Sequence, residues 1–282
     1  ATLRGFRAVP LPASADIRLE QSVSRMVSQN VGAIIPGAGY PDESILFAAH
    51  WDHLGIDDDL DGDQIFNGAK DNATGVSALL ELARVAAARK KPLQRSLFFA
   101  AFTAEESVLL GSLFFAENSP LPLDKMAAVL NMDVMNVWGP TRDVQVRGFG
   151  SSQLEEYLDE AARSQGRVIV ADPFPEKGYY YRSDHFSLAR FGVPGLHVRS
   201  GTDHEKHGDQ WGRAKEREFV SDRYHKPGDE FDEEWDLSGA VRDADLYLQL
   251  ALRLANERAF PEWREGNQFK AIRDQTASSR TP

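Results

Sequence analysis

The chain has 282 residues, 42% of them apolar and 27% charged, with 43 acidic against 32 basic side chains and a formal net charge of −11. That length supports one large α/β core or two small domains. The charge disfavours nucleic acid as a partner, and no apolar run approaches the roughly 20 residues needed to span a bilayer. Cysteine is absent, which excludes disulfides, thiolate nucleophiles and cysteine-ligated zinc together.

The first forty residues are weakly patterned, and residues 34–41, rich in Gly and Pro, read as a turn. A repeating pattern then begins. Residues 45–49 form a short apolar run suited to a buried strand. Residues 75–90 carry Val76, Leu79, Leu80, Ala83 and Ala86 at helical spacing. Residues 96–102 predict a second buried strand, 108–116 a helix, 127–132 a third strand and 144–149 a fourth. Residues 153–165 are helical, with Leu154, Tyr157, Leu158 and Ala161 on one side. Residues 168–171 and 195–198 complete the strands, and 237–257 is the longest helix candidate. Apolar strands alternating with amphipathic helices predict an α/β fold whose mainly parallel sheet is covered on both faces.

No internal repeat or clean domain boundary appears, so residues 1–282 read as a single domain. Two stretches break the rhythm and read as long loops, a kind that often carries function. Residues 57–71 are acidic and contain Gly, and residues 200–234 are polar and rich in His, Asp, Arg and Gly. The polar tail from Arg264 onward is expected to fray.

His50 and Asp52 follow the first predicted strand, Glu105 and Glu106 the second, and Asp133 the third. In an open parallel sheet the carboxyl ends of the strands gather in one crevice. One acid after a strand usually caps a helix or closes a turn. Several in one crevice are costly to bury unless cations neutralise them. Asp, Glu and His without Cys suit zinc or another divalent transition metal at a hydrolytic site. Glu105 and Glu106 diverge on an extended segment, so one can bind metal while the other takes a proton from water; a glutamate-rich helix start is the plainer alternative. Asp52, two residues from His50, can accept the ring N–H and fix its orientation. His204 and His207 read as part of a solvated loop rather than an ion site, and His53 and His197 as structural.

The segments AHWDH (49–53), KDNATG (70–75), TAEES (103–107), NMDV (131–134), YYRSDH (180–185) and YHKPGDE (224–230) occur in this order. Together they resemble the M28 family of metallopeptidases, over residues 40 to 260, with no departure at a ligand position. The resemblance implies a three-layer α/β/α sandwich with a mixed, mainly parallel sheet. It implies two zinc ions per chain, one held by His50 and Asp133, the other by Glu106 and His225, with Asp71 bridging both. Glu105 is then the general base and later the proton donor to the leaving amine, Asp52 orients His50, and Tyr180 donates to the carbonyl oxygen. The Asp71–Asn72 peptide is expected to be cis. Asp184 and His185 flank the site without binding metal.

The implied activity is removal of N-terminal residues from a peptide substrate. A carboxypeptidase shares the metal pattern, and a substrate clamp by Arg182 or Arg199 would favour it. A glutaminyl cyclase of this family uses one zinc, and the full ligand set here favours two. A non-catalytic binding domain is the remaining alternative, and retention of both Glu105 and Glu106 argues against it. A serine hydrolase is disfavoured because no G-x-S-x-G elbow is present. Residues 8–37 resemble the stretch that re-enters such a domain after an inserted protease-associated domain. Residues 1–40 therefore read as a junction within a longer protein. The resemblance also implies export to the periplasm or the cell exterior, and it fixes no oligomeric state.

Overall fold

The apolar runs at 45–49, 96–102 and 127–132 lie side by side within one seven-stranded sheet. The computed structural model describes residues 7, 12–21, 23 and 25–280. The rest of the expected 1–40 junction, residues 1–6, 8–11, 22 and 24, lies outside the described residues. In chain order the strands are β1 (Val31–Ile35), β2 (Tyr40–His50), β3 (Gly55–Ile56), β4 (Ile65–Phe66), β5 (Arg95–Phe102), β6 (Met126–Asn131), β7 (Asp143–Arg147), β8 (Val168–Ala171) and β9 (Gly195–Ser200). The α-helices are α1 (Thr74–Ala87), α2 (Leu110–Glu117), α3 (Leu154–Ser164), α4 (His185–Ala189), α5 (Asp209–Asp222), α6 (Ser238–Leu254) and α7 (Lys270–Gln275).

The sheet order is β1-β5-β2-β6-β9-β7-β8, and β3 pairs only with β4. Strands β5, β2, β6 and β9 run parallel. At one edge β1 is antiparallel to β5; at the other, β7 is antiparallel to β9 and parallel to β8. The sheet is therefore mixed, with a parallel centre.

Period-two alternation explains the two cores. Ile45, Phe47 and Ala49 of β2 and Leu97 and Phe99 of β5 face one side. Leu46, Ala48, Phe98, Ala100 and Phe102 face the other. On the first side pack Leu79 and Leu82 of α1, Leu154 and Leu158 of α3, and Leu246, Leu250 and Leu254 of α6. On the second pack Phe115 of α2 and Leu188 of α4. The result is three layers, and each fully buried large apolar side chain contributes about 1.5–3 kcal/mol.

Three sequence expectations change. Residues 200–234 are not one long loop, because α5 runs through them. Only Gly212 and Phe219 of that helix are buried, so it leaves no apolar stripe in the sequence. The tail does not fray after Arg264. It forms α7, whose Arg273 is buried and donates from Nη1 to the Met126 carbonyl at 3.1 Å. The turn read at 34–41 is narrower, since Ile34 and Ile35 belong to β1 and Tyr40 opens β2.

This register sets up a site. His50 pairs with Phe102, and Ala48 with Asn131, so three adjacent parallel strands end together. Glu105, Glu106 and Asp133 follow those ends within four residues.

Candidate active site

His50 closes β2 and is buried. Its Nδ1 lies 3.1 Å from the Asp52 carbonyl oxygen, which can only accept. Nδ1 therefore donates, and in the neutral ring Nε2 offers a lone pair. That Nε2 is 3.3 Å from Asp71 Oδ1 and 3.4 Å from Asp133 Oδ1. His225 Nε2 is 3.3 Å from Asp71 Oδ2 and 3.3 Å from Glu106 Oε2. Asp71 thus divides its two oxygens between two histidine–carboxylate pairs.

The turn carrying Asp71 is heavily fastened. The N–H groups of Lys70 and Asp71 donate to the Asp229 carboxylate at 2.9–3.2 Å. The Asp71–Asn72 peptide is cis. Asn72 donates to the Met132 carbonyl at 3.0 Å and accepts from Gly75 and Val134 N–H at 3.0 and 3.1 Å. A Cβ at Gly75 would meet Asn72 Oδ1 at 2.3 Å and Met132 O at 2.6 Å, so only glycine lets this turn close on the Asp133 loop. Asp133 Oδ2 accepts from Ser183 Oγ at 2.7 Å, and Ser183 accepts in turn from Asn131 Nδ2 at 2.7 Å.

Backbone strain gathers at the same place. Among the described residues, the non-glycine positions with positive φ are Ala104, Val108, Leu109, Val134 and His225. Four of them line one cavity and the fifth precedes Glu105. Such conformations persist where surrounding structure over-determines them, commonly at functional sites.

Asp52 orients His50 through its backbone carbonyl rather than through the carboxylate that the sequence suggested. Its carboxylate stays 3.9 Å from His50 Nδ1 and instead accepts the N–H of Glu105 at 3.1 Å and of Glu106 at 3.3 Å. It holds the glutamate pair. Glu106 also lies 2.9 Å from His53 Nδ1, a neighbour the sequence gave no reason to single out.

The electrostatics call for positive charge. Burial, and then the nearby Asp133 carboxylate, pushes Glu105 up to about 10. Burial opposes ionisation of Glu106, yet hydrogen bonds with His225 and His53 bring it down to about 2. Hydrogen bonds with Asp71 and Glu106 raise His225 to about 9. Burial works against a charged His50, but Asp133 and Asp71 hold it well above the usual imidazole value. Protons satisfy this demand for the side chains alone, and a divalent cation satisfies it with the same donors.

The donors fit such an ion. His50, Asp71 and Asp133 form one group of donor atoms within 4.8 Å of one another, and His53, Asp71 and Glu106 another. Donors about 2.0–2.1 Å from a tetrahedral zinc lie about 3.3–3.4 Å apart, which matches the histidine–carboxylate separations. Imidazole and carboxylate without thiolate suit zinc among the divalent metals.

The centre opens into a cavity of about 930 Å³. Glu105 lines it, as do Tyr179 and Tyr181. Tyr180 does not. A 3₁₀ turn over Tyr179–Tyr181 sends the Tyr180 ring into a small core with Ala189, Trp263 and Phe269. The ring packs so closely on Gly148 that a Cβ there would lie 2.3 Å from Tyr180 Cδ2. Tyr180 is therefore a packing residue, and the tyrosines that line the cavity are Tyr179, Tyr181 and Tyr224. Asp184 and His185 are sealed behind this wall. His204 is buried rather than solvated, and both its ring nitrogens are committed. Nε2 meets the Trp138 carbonyl at 2.9 Å, and Nδ1 accepts from the Lys206 and His207 amides.

Helix α5 forms one side of the cavity with Arg213, Glu216, Arg217 and Val220. Sequence reasoning missed this wall, and missed Asp229 although it lies four residues after His225 in a segment already singled out. Arg199 is tied to Glu216 at 2.8 Å.

Residues 30–249 match the model of Peptidase family M28. The mouse protein named aminopeptidase NAALADL1 is 30% identical over 130 residues, covering 44% of this chain and 16% of that protein. Aminopeptidase YwaD of Bacillus subtilis is 26% identical over 214 residues, covering 74% of this chain and 41% of that protein. These matched stretches span less than half of either relative. Among solved structures, BSAP, described as a zinc aminopeptidase from Bacillus subtilis, superposes with a TM-score of 0.60 at 22% identity, covering 81% of this chain and 50% of that one. LapB from Legionella pneumophila gives 0.59 at 22%, covering 81% and 56%. At these identities the likeness is one of fold. No helix among the described residues is long and apolar enough to cross a membrane.

Proposed function

The chain belongs to peptidase family M28, and from that premise we propose that its cleft removes residues from the N-terminus of peptides, using two zinc ions. The observation that carries this reading is the split of Asp71, one oxygen facing His50 and Asp133, the other facing His225 and Glu106. His50 and Asp133 would hold one ion and Glu106 and His225 the other, with Asp71 shared. The likeness to BSAP, described as a zinc aminopeptidase, supports the choice of metal. When bound, zinc supplies an acidified water and polarises the scissile carbonyl.

The chain's own residues supply the proton transfers. Glu105 binds no histidine, lines the cavity and has its proton affinity raised by burial. It takes the proton of the attacking water and returns it to the leaving nitrogen. Asp52 holds Glu105 and Glu106 through their N–H groups, so the base and a metal ligand keep a fixed spacing. A tyrosine hydroxyl of the cavity wall, which Tyr179, Tyr181 and Tyr224 line, donates to the carbonyl oxygen as negative charge develops there.

The test combines metal analysis with hydrolysis of aminoacyl-p-nitroanilides before and after chelation. About two zinc ions per chain, with release that stops on chelation and returns with zinc, is the expected result. A chain that takes up no metal under metal-replete conditions ends this reading.

A further inference from the structure

The net charge of −11 is not shared by the cleft. Apart from the candidate metal ligands and Glu105, the cavity wall offers one carboxylate, Glu216, and Arg199 neutralises it. Three of the cavity's cations gather around the Tyr179 ring, one of them, Lys177, also lying over Phe174 at 4.4 Å. The guanidinium carbon of Arg147 lies 4.5 Å from the Tyr179 ring centre, that of Arg182 lies 5.5 Å away, and Lys177 Nζ 5.9 Å. All three cations line the cavity.

Arg147 is buried and has its own counter-charge, Asp172 at 2.5 Å. Arg182 and Lys177 are exposed, and neither has a carboxylate partner among the described residues. Glu176 belongs to the same segment but does not line the cavity. Three cations around one ring with one counter-charge leave two positive charges in excess. The face of Tyr179 offsets part of their repulsion, and an anion entering the cleft would offset the rest. Cleft walls of low dielectric strengthen that field.

The cluster is also close to the proposed chemistry. Arg182 directly precedes Ser183, whose Oγ donates to Asp133 Oδ2 at 2.7 Å. A substrate with its scissile bond at the Asp71 centre therefore has part of its length beside Arg182. Peptides offer carboxylates at acidic side chains and at the C-terminus, and a planar guanidinium can bind either through paired hydrogen bonds.

We infer that the cleft selects peptides bearing a carboxylate close to the scissile bond, bound at a subsite formed by Arg182 and Lys177, with Arg147 behind them around Tyr179. This rests on the peptidase reading above. Arg182 and Lys177 are its specificity-determining residues.

The test reads binding rather than turnover, by calorimetry on zinc-replete E105Q protein. Three short peptides are compared: amidated tri-alanine, tri-alanine with a free C-terminus, and amidated Ala-Glu-Ala. At least one carboxylate peptide should bind about ten- to hundredfold tighter than the neutral amide. Preference for the free acid identifies the terminal carboxylate as the recognised group and moves the peptidase reading towards a carboxypeptidase, whereas preference for the glutamate peptide identifies the side chain and leaves the N-terminal reading in place. In E105Q/R182A and E105Q/K177A the ratio should fall towards one, and added salt should shrink it in the parent. Both substitutions are at exposed positions, and an unchanged unfolding midpoint checks that the fold is intact. Equal binding of all three peptides, a preference that survives R182A and K177A together, or no binding of either acidic peptide overturns the inference. Hydrolysis of the neutral amide by the unsubstituted protein is scored separately, so failure of the peptidase reading and failure of this subsite give different results.

Discussion

The two halves of the candidate centre share Asp71 but are built differently. One half comes from the sheet: His50 ends β2, Asp133 follows β6 by two residues, and the His50 side chain is only 2% exposed. The other half joins a strand end to a loop. Glu106 lies beyond β5, and His225 follows α5 with its side chain 32% exposed. The His225 ring stacks on Tyr224 at 3.9 Å, and its backbone is held at φ 56°. A rigid half and an accessible half around one shared carboxylate divide the work: the sheet sets geometry, and the loop side admits ligand.

Four substitution experiments sharpen or break that division. The largest effect is expected from E105Q, which touches neither half. Hydrolysis of an aminoacyl-p-nitroanilide should fall about 10²- to 10⁴-fold while bound zinc stays constant. A matching loss of zinc would make Glu105 a ligand and redraw the site. Next comes the shared carboxylate. D71A should release metal from both halves, whereas H50A and H225A should each release metal from one, read as zinc per chain after dialysis. If either histidine variant empties the protein as completely as D71A, the halves are not separable.

D52N probes what holds the glutamates. It should slow hydrolysis about 10- to 100-fold with zinc content unchanged, because Asp52 contacts the Glu105 and Glu106 amides more closely than the His50 ring. Zinc loss confined to the His50 half would instead restore the role the sequence suggested. Y224A should have the smallest effect. Loss of the ring beneath His225 should speed chelator-driven zinc release less than about tenfold, the scale of one aromatic contact worth about 0.5–1.5 kcal/mol. A slower release would mean that the loop half is not the exchanging one.

Much of the rigid half was legible in the sequence, and less of the accessible half. Strands β2, β5 and β6 are buried on both faces, so they read as uninterrupted apolar runs, and the polar residues just beyond them stood out. Helix α5 was not legible, because it buries only Gly212 and Phe219 and otherwise shows water and the cleft to a polar surface. The three tyrosines 179–181 carry no mark of direction. Only the 3₁₀ turn decides that the middle one enters the core while its neighbours face the cavity. The cationic cluster was half legible: Arg182 could be named, but its convergence with Lys177 and Arg147 depends on how residues 172–182 wrap Tyr179. His53 looked structural because nothing in AHWDH shows that its ring turns towards Glu106.

The bond from Asp229 to the Asp71 turn has a consequence for how the protein is made. The two residues are 158 positions apart, and His225 belongs to the same late stretch. At translation speeds of about 5–20 residues per second, roughly 5–20 s separate the synthesis of Asp133 from that of Asp229. During that interval the nascent chain already contains His50, Asp71, Glu106 and Asp133, while the carboxylate that accepts from the Lys70 and Asp71 amides is not yet made. The fastened centre cannot form before residue 229 is made, and a ribosome-bound chain short of that residue carries the pieces without the site.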